Sequence, residues 1–316
     1  MAMSKQPSLV GVDVSKAELV YSLDGTPAKA FPNQRPAIRA WLRPFTAPVS
    51  LAMEATGRYH LALADEAHRR GHRVYLIDGY RLNRYRDSIG GRAKTDATDA
   101  CLLARYLDRE QDNLRVWAPP PKGYDTVQQL LRRRAVLVQA RVSLQQSLGE
   151  VPSLKASLGA LMRQMARIDL LIQKRMHQAI AQAGWLKQVQ RCQGIEGIGP
   201  LTSTALTMAF HRGAFRSSDA FIAFLGLDVR VRDSGKSHGR RRLTKKGDPE
   251  LRRLLYLAAM QAKRQPAWQG YYQRLIARGL APIQALNALA RKLARVAFSL
   301  MKNESHYVPR ISCMET

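Results

Sequence analysis

Apolar residues follow two rhythms along this chain. In the first third they form short runs: Leu9-Val10-Gly11-Val12-Asp13-Val14, Leu19-Val20-Tyr21-Ser22-Leu23 ahead of an Asp24-Gly25 turn, Val49-Ser50-Leu51-Ala52-Met53-Glu54, and Arg73-Val74-Tyr75-Leu76-Ile77-Asp78. Runs of this length bounded by turn residues predict strands. Between them, 36–42 and 59–70 repeat at helical spacing, and Gly71 closes the second. Thr95 stands where an N-cap would start a helix through Asp96, Asp99, Leu102, Leu103 and Tyr106. Strands alternating with helices predict a sheet covered by helices, of α/β or α+β type.

From about 124 to 184 the period is helical throughout. Leu154, Leu158, Leu161, Met165, Ile168 and Ile172 make an a/d seam of nearly three heptads. Val127, Leu130, Leu137, Leu144 and Leu148 form a looser stripe before it, and Gly149 with Pro152 parts the two. The seam suits an antiparallel pair packed on itself as well as a dimerising coiled coil. Pro119-Pro120-Pro121 marks a linker. Beyond Gly184, a Gly-rich turn from Gly194 to Thr202 joins two apolar helical stretches. Further helices are predicted over 220–225, 251–260 and 286–301, the last with Arg291, Lys292 and Arg295 opposite its apolar face. The chain thus divides into a domain over 1–118, a helical connector over 119–186 and a mainly helical domain over 187–316.

Composition narrows what such a protein can do. Apolar residues make up 46% of the 316, enough for a core, and no run is long enough to span a membrane. The opening Met-Ala-Met-Ser-Lys-Gln-Pro-Ser lacks a secretory signal's apolar stretch, and Cys101, Cys192 and Cys313 stand far apart. A reducing cytoplasm is the expected setting. The 51 Lys and Arg against 24 Asp and Glu leave a net charge of +27, which points to a polyanionic partner, nucleic acid above all. The charge is uneven: residues 1–110 carry a net +5 and the remaining 206 a net +22.

Two groups of residues carry candidate chemistry. Asp13 and Glu54 each end an apolar strand, while Asp96 and Asp99, three apart, share one face of a helix. If the strands are neighbours and the helix crosses their ends, four carboxylates converge. Such a cluster calls for bound divalent cations, and hard oxygen ligands select Mg²⁺. Jointly they read as a ribonuclease-H-like metal site of the RuvC type. The plainer reading of Asp96 and Asp99 is a pair of first-turn carboxylates favouring the helix dipole. The second group lies in the Gly-punctuated stretch from Arg230 to Gly247, placed on a loop or loose hairpin. Across 229–264 there are 12 Lys and Arg against 3 Asp and Glu. Ser234 there is either a nucleophile among phosphate-binding cations or part of a solvated basic loop; Ser237 is its rival by spacing. Lys236, Arg240, Arg241, Arg242, Lys245, Lys246, Arg252 and Arg253 are the expected phosphate contacts. Gly197 and Gly199, in the turn that resembles a helix-hairpin-helix element, would free backbone N–H groups for a phosphate; an ordinary helix–helix turn is the alternative.

Together these residues resemble the Piv-like DEDD transposases of insertion sequences. The resemblance lies in Gly11-Val12-Asp13-Val14-Ser15-Lys16, Met53-Glu54-Ala55-Thr56-Gly57 and Lys94-Thr95-Asp96-Ala97-Thr98-Asp99-Ala100. It continues in Gly194–Thr202, Phe224-Leu225-Gly226-Leu227, Ser234-Gly235, and Lys246-Gly247 followed by Leu251-Arg252-Arg253. It spans nearly the whole chain in order. The resemblance implies a RuvC-like N-terminal domain, a coiled-coil connector and a C-terminal transposase domain with a nucleophilic serine. Asp13, Glu54, Asp96 and Asp99 would then hold Mg²⁺, and Ser234 would attack. It further implies donor and target DNA as substrates, an element-encoded bridge RNA as guide, and dimers or tetramers in which one subunit's serine completes another's acidic site. The bacterial nucleoid is the expected place of work. The chain departs from the family at Asp228-Val229, where a threonine–proline pair is common. The rival expectations are a RuvC-like, Mg²⁺-dependent junction nuclease using water, and a non-catalytic nucleic-acid-binding protein.

Overall fold

The computed structural model describes residues 8–55, 57–90, 95–230, 233–234, 237–238 and 241–309, without the side chains of 233–234 and 237–238. The chain divides into two compact units between Pro119 and Pro120.

The first unit carries β1 (Leu9–Val14), β2 (Glu18–Leu23), β3 (Lys29–Pro32), α1 (Arg35–Leu42), β4 (Ser50–Glu54), α2 (Leu61–Arg69), β5 (Arg73–Ile77), α3 (Gly79–Ser88) and α4 (Asp96–Glu110). The strands form one sheet in the order β3-β2-β1-β4-β5, antiparallel on the β2 side of β1 and parallel on the β4 side. Neither β3 nor α3 was legible in the sequence. β3 is four residues with no alternating apolar pattern, and α3 buries only Leu82, so it has no apolar period to detect. Its start is fixed instead by Asp78, whose carboxylate accepts the Arg81 N–H at 3.2 Å.

The pleat sorts the central strands. Val10, Val12, Val14, Leu51 and Met53 pack with Ile38, Leu42 and Leu63 of α1 and α2, whereas Ala52 packs with Leu102 and Leu103 of α4. Successive residues of a strand alternate faces, so Gly11 and Asp13 of β1, and Glu54 of β4, share the α4 side. Gly11 permits that packing: a Cβ there would collide with the backbone Ala100 O and Ala104 N of α4.

The second unit begins with α5 (Tyr124–Leu148) and α6 (Lys155–Gln182), followed by α7 (Leu186–Gln193), α8 (Pro200–His211) and α9 (Ser218–Phe224). Four two-residue strands come next, β6 (Val229–Arg230), β7 (Asp233–Ser234), β8 (Ser237–His238) and β9 (Arg242–Leu243). The chain then closes with α10 (Pro249–Ala262), α11 (Pro266–Ala277) and α12 (Pro282–Lys302). α5 and α6 form an antiparallel hairpin, with an Arg134 guanidinium N–H donated to Asp169 at 3.1 Å. The base of the hairpin is built into the unit's main core, where Tyr124, Val127, Leu131, Met176 and Ile180 pack with residues of α8, α10 and α12. The heptad seam of α6 splits in two. Met165 is buried and Ile172 packs on the core, while Leu154, Leu161 and Ile168 are exposed, as are Leu170 and Leu171. Among the described residues no helix is long and apolar enough to cross a membrane.

Candidate active site

The four predicted acids come together at one end of the first unit's sheet. Val12 stands opposite Met53 in the β1–β4 ladder, which sets Asp13 and Glu54 at neighbouring strand ends. α4 begins beside them because Thr95 caps it: the Thr95 hydroxyl accepts the Thr98 N–H at 3.2 Å and the Thr98 hydroxyl accepts the Thr95 N–H at 2.9 Å. That start places Asp96 in the first turn, exposed, and Asp99 on the buried side. Asp13 reports the crowding. Its carboxyl is raised from 3.8 to about 6, by burial first and then by the charges of Asp96, Asp99 and Glu54.

Two residues missed at the sequence level shape this site. The Arg86 guanidinium of α3 donates to Asp99 Oδ1 at 2.5 Å, with both side chains largely buried. Gly79, the first residue of α3, lies directly under the Glu54 carboxylate, where a Cβ would overlap Oε1. The Asp78-Gly79 pair after a strand was the available signal for a helix start there. Among the described residues, no group of three or more His, Cys, Asp or Glu is closed up to metal-holding distance. The donor set nonetheless suits a hard divalent cation: carboxylate oxygens only, partly buried, mutually repelling and balanced by one guanidinium.

The basic stretch of the second unit forms two small β-ribbons rather than an open loop. β6 pairs with β9 (Val229 opposite Leu243), and β7 pairs with β8, Ser234 standing opposite Ser237. The two serines therefore occupy one rung of the same hairpin. Lys236 and Arg240 lie outside the described residues. Arg241, Arg242, Lys245 and Lys246 are exposed. The ribbon's ends are clasped together. Gly226 (φ 69°) and Gly247 touch backbone to backbone: a Cβ on Gly247 would stand 2.6 Å from the Leu225 and Phe224 carbonyl oxygens. Arg252 donates to the Gly247 carbonyl at 2.6 Å, and Arg253 to Glu250 at 2.6 Å, so these two expected phosphate contacts are engaged within the fold. Asp228, where the chain departs from the family pattern, accepts the Thr244 hydroxyl and closes the β6–β9 end.

The Gly-rich turn joins α7 to α8. Gly197 (φ 91°) lets it approach α10, since a Cβ would stand 2.6 Å from Ala262 Cβ. Gly199 is the N-cap of α8, with open space around it and no side-chain cap.

Comparison with known proteins follows the same division of the chain. A DEDD-type transposase family model of the IS110 group matches residues 10–151, and one described as "Transposase IS116/IS110/IS902 family" matches residues 189–273. The chain is 28% identical over 283 residues, 84% of each protein, to the pilin gene-inverting protein of Moraxella bovis. It is 28% identical to a Pseudomonas aeruginosa protein named "Probable family 20 transposase", over 96% of this chain and 99% of that one. The mixed sheet with its acidic end followed by a helical C-terminal unit is consistent with a RuvC-like DEDD transposase. With the acidic motifs inside one matched segment and the clasp and Gly-rich turn inside the other, the chain belongs to the IS110/IS116 family of transposases and is by that membership a DNA transposase and recombinase.

Proposed function

We propose that this transposase cuts and rejoins DNA through Ser234, assisted by a divalent cation, Mg²⁺ by donor chemistry, at Asp13, Glu54, Asp96 and Asp99. The observation that carries the reading is the placement of Asp13 and Glu54 at neighbouring strand ends beside the first turn of α4, which holds Asp96 and Asp99, a crowding of carboxylates that a bound cation would relieve. Such a cation supplies Lewis-acid stabilisation of charge on the scissile phosphate. The chain's own residues do the rest. The Ser234 oxygen bonds to phosphorus as the bond to the departing strand breaks, and that strand leaves as a free hydroxyl. A hydroxyl of the incoming strand then bonds to phosphorus and releases the serine. One phosphoester replaces another at each step, so no nucleotide cofactor is consumed. Arg241, Arg242, Lys245 and Lys246, with Lys236 and Arg240, neutralise phosphates beside the serine hairpin. The free amides at Gly199 and the start of α8 hold a backbone phosphate.

Assembly and guidance fit the same arrangement. Ser234 and the acids belong to separate units of the chain, which suits a dimer or tetramer in which one subunit's serine serves another's acids. The exposed line of Leu154, just before α6, and Leu161 and Ile168 on it suits coiled-coil contact between copies. A bridge RNA pairing with donor and target DNA would supply the sequence choice, since backbone contacts carry none.

The test uses the full chain, Mg²⁺, labelled DNA from the element junction and co-expressed RNA. Wild type should become covalently attached to label on denaturing gels, and neither Ser234→Ala nor Asp13→Ala should. Cleavage without attachment that survives Ser234→Ala would replace this mechanism with a hydrolytic junction nuclease. Attachment lost in Ser237→Ala but kept in Ser234→Ala would move the nucleophile across the hairpin.

A further inference from the structure

A cavity of about 520 Å³ opens in the second unit between α11, α12 and the segment after α12. Its walls include Trp268, Tyr271 and Tyr307, with Arg274 and Lys292 among its lining residues and no carboxylate. Its volume lies in the ~300–1,000 Å³ range of sites for small organic ligands. The Trp268 and Tyr307 rings are nearly parallel, 12° apart in plane, with centroids separated by 6.2 Å. Trp268 is buried, and its indole N–H has no hydrogen-bond partner among the described residues. Arg274 and Lys292 are exposed. Neither makes an ion pair with a carboxylate among the described residues. The cavity also adjoins the Gly-rich turn: a Cβ on Gly194 would stand 3.8 Å from Tyr307 Cβ. The Glu196 carboxylate is close enough that it, after burial, raises the Tyr307 phenol.

Aromatic faces beside unpaired cations match one chemistry well. Every base offers a π-face for stacking, and every nucleotide carries a phosphate for a guanidinium or ammonium. We propose that this cavity receives one unpaired nucleotide of a single-stranded nucleic acid, its base against Trp268, Tyr271 and Tyr307 and its phosphate on Arg274 and Lys292. A strand is favoured over a free nucleotide because the residues beyond 110 carry a net +22, a field suited to a polyanion. This site deepens the proposed function, resting on its reading that the protein handles DNA strands together with a guide RNA, and it requires neither Ser234 nor a metal.

Photocrosslinking tests it directly. The full-length chain is irradiated with single-stranded 20-mers carrying 4-thiouridine in RNA or 4-thiothymidine in DNA, and crosslinked peptides are mapped by mass spectrometry. Affinity for the same oligonucleotides is measured at several salt concentrations. Crosslinks should fall on peptides bearing Trp268, Tyr271 or Tyr307, and the arm that gives them identifies the strand as RNA or DNA. Tyr271→Ala, chosen because Tyr271 is only half-buried, should bind about tenfold more weakly with an unchanged salt slope. Arg274→Gln should lower that slope by about 1. Crosslinks confined to other peptides, with Tyr271→Ala binding as wild type does, would overturn the proposal. So would adenosine or uridine monophosphate at millimolar concentration displacing the crosslink while leaving oligonucleotide affinity intact. Failure of the Ser234 experiment with these crosslinks present removes only the serine mechanism, and the opposite pattern removes only this site.

Discussion

Arg86 sets a positive charge against the acidic end of the first unit, its guanidinium 2.5 Å from Asp99. It balances a carboxylate that would otherwise be buried unpaired beside Asp13. Removing one partner of such a pair costs far more than the pair is worth, about 3 kcal/mol. Arg86→Met should therefore destabilise the metal-free protein by about that amount in chemical denaturation, and millimolar Mg²⁺ or Mn²⁺ should restore much of it. A destabilisation indifferent to cations would mean that Arg86 only packs. Asp13 makes a second prediction at this scale. Its folded carboxyl is raised from 3.8 to about 6, so folding favours the protonated form. The stability this group contributes is complete below about pH 4 and is lost as pH rises through about 6. Asp13→Asn, neutral at every pH, should match wild-type Tm near pH 4 and exceed it increasingly toward pH 7 without metal. Equal Tm profiles across that range would contradict the charge crowding.

At the scale of elements, close approach by way of glycine recurs. Gly11 lets α4 lie on β1, Gly79 makes room for Glu54, Gly197 lets the turn meet α10, and Gly226 with Gly247 closes the clasp at the ends of the ribbon. Only backbone stands opposite Gly11 at the shortest distances, so nothing can rotate out of the way of a methyl group. Gly11→Ala should cost about 3 kcal/mol by overpacking, read as a lower urea midpoint with an unchanged m-value. A cost below about 0.5 kcal/mol would show that α4 is less tightly seated. At Gly79 the obstacle is a side chain instead, the Glu54 carboxylate, so the same change there would move a catalytic candidate rather than a helix.

The whole molecule joins a nearly charge-balanced sheet unit to a strongly basic helical one. Each has its own core, and their boundary falls in a run of prolines. A chain of residues 120–316 should therefore melt cooperatively by itself and bind DNA with nearly the full-length salt slope, while giving no strand cleavage. Circular dichroism and filter binding check both. A fragment without a melting transition would show that the second core needs the first unit.

Much of this was legible along the chain, because the signals are local. The periods of β1, β2, β4 and β5, the Thr95 cap, the proline boundary and the four acids at strand and helix ends each depend on residues close in sequence. The strands' neighbours were another matter, because pairing in the order β3-β2-β1-β4-β5 is a contact between distant segments. The same holds for Arg86: α3 is polar and has no apolar period, and only the packing of α3 against α4 brings its guanidinium to Asp99. Phe224-Leu225-Gly226-Leu227 and Lys246-Gly247 read as separate motifs until the fold crosses them into one clasp. The split of the α6 seam depends on which side α5 takes. The cavity of Trp268, Tyr271 and Tyr307 joins residues up to 39 positions apart. Local chemistry thus determined the elements and most of the candidate residues. Tertiary packing decided their counter-charges, their clearances and the surfaces left open, since those depend on groups that no sequence window contains.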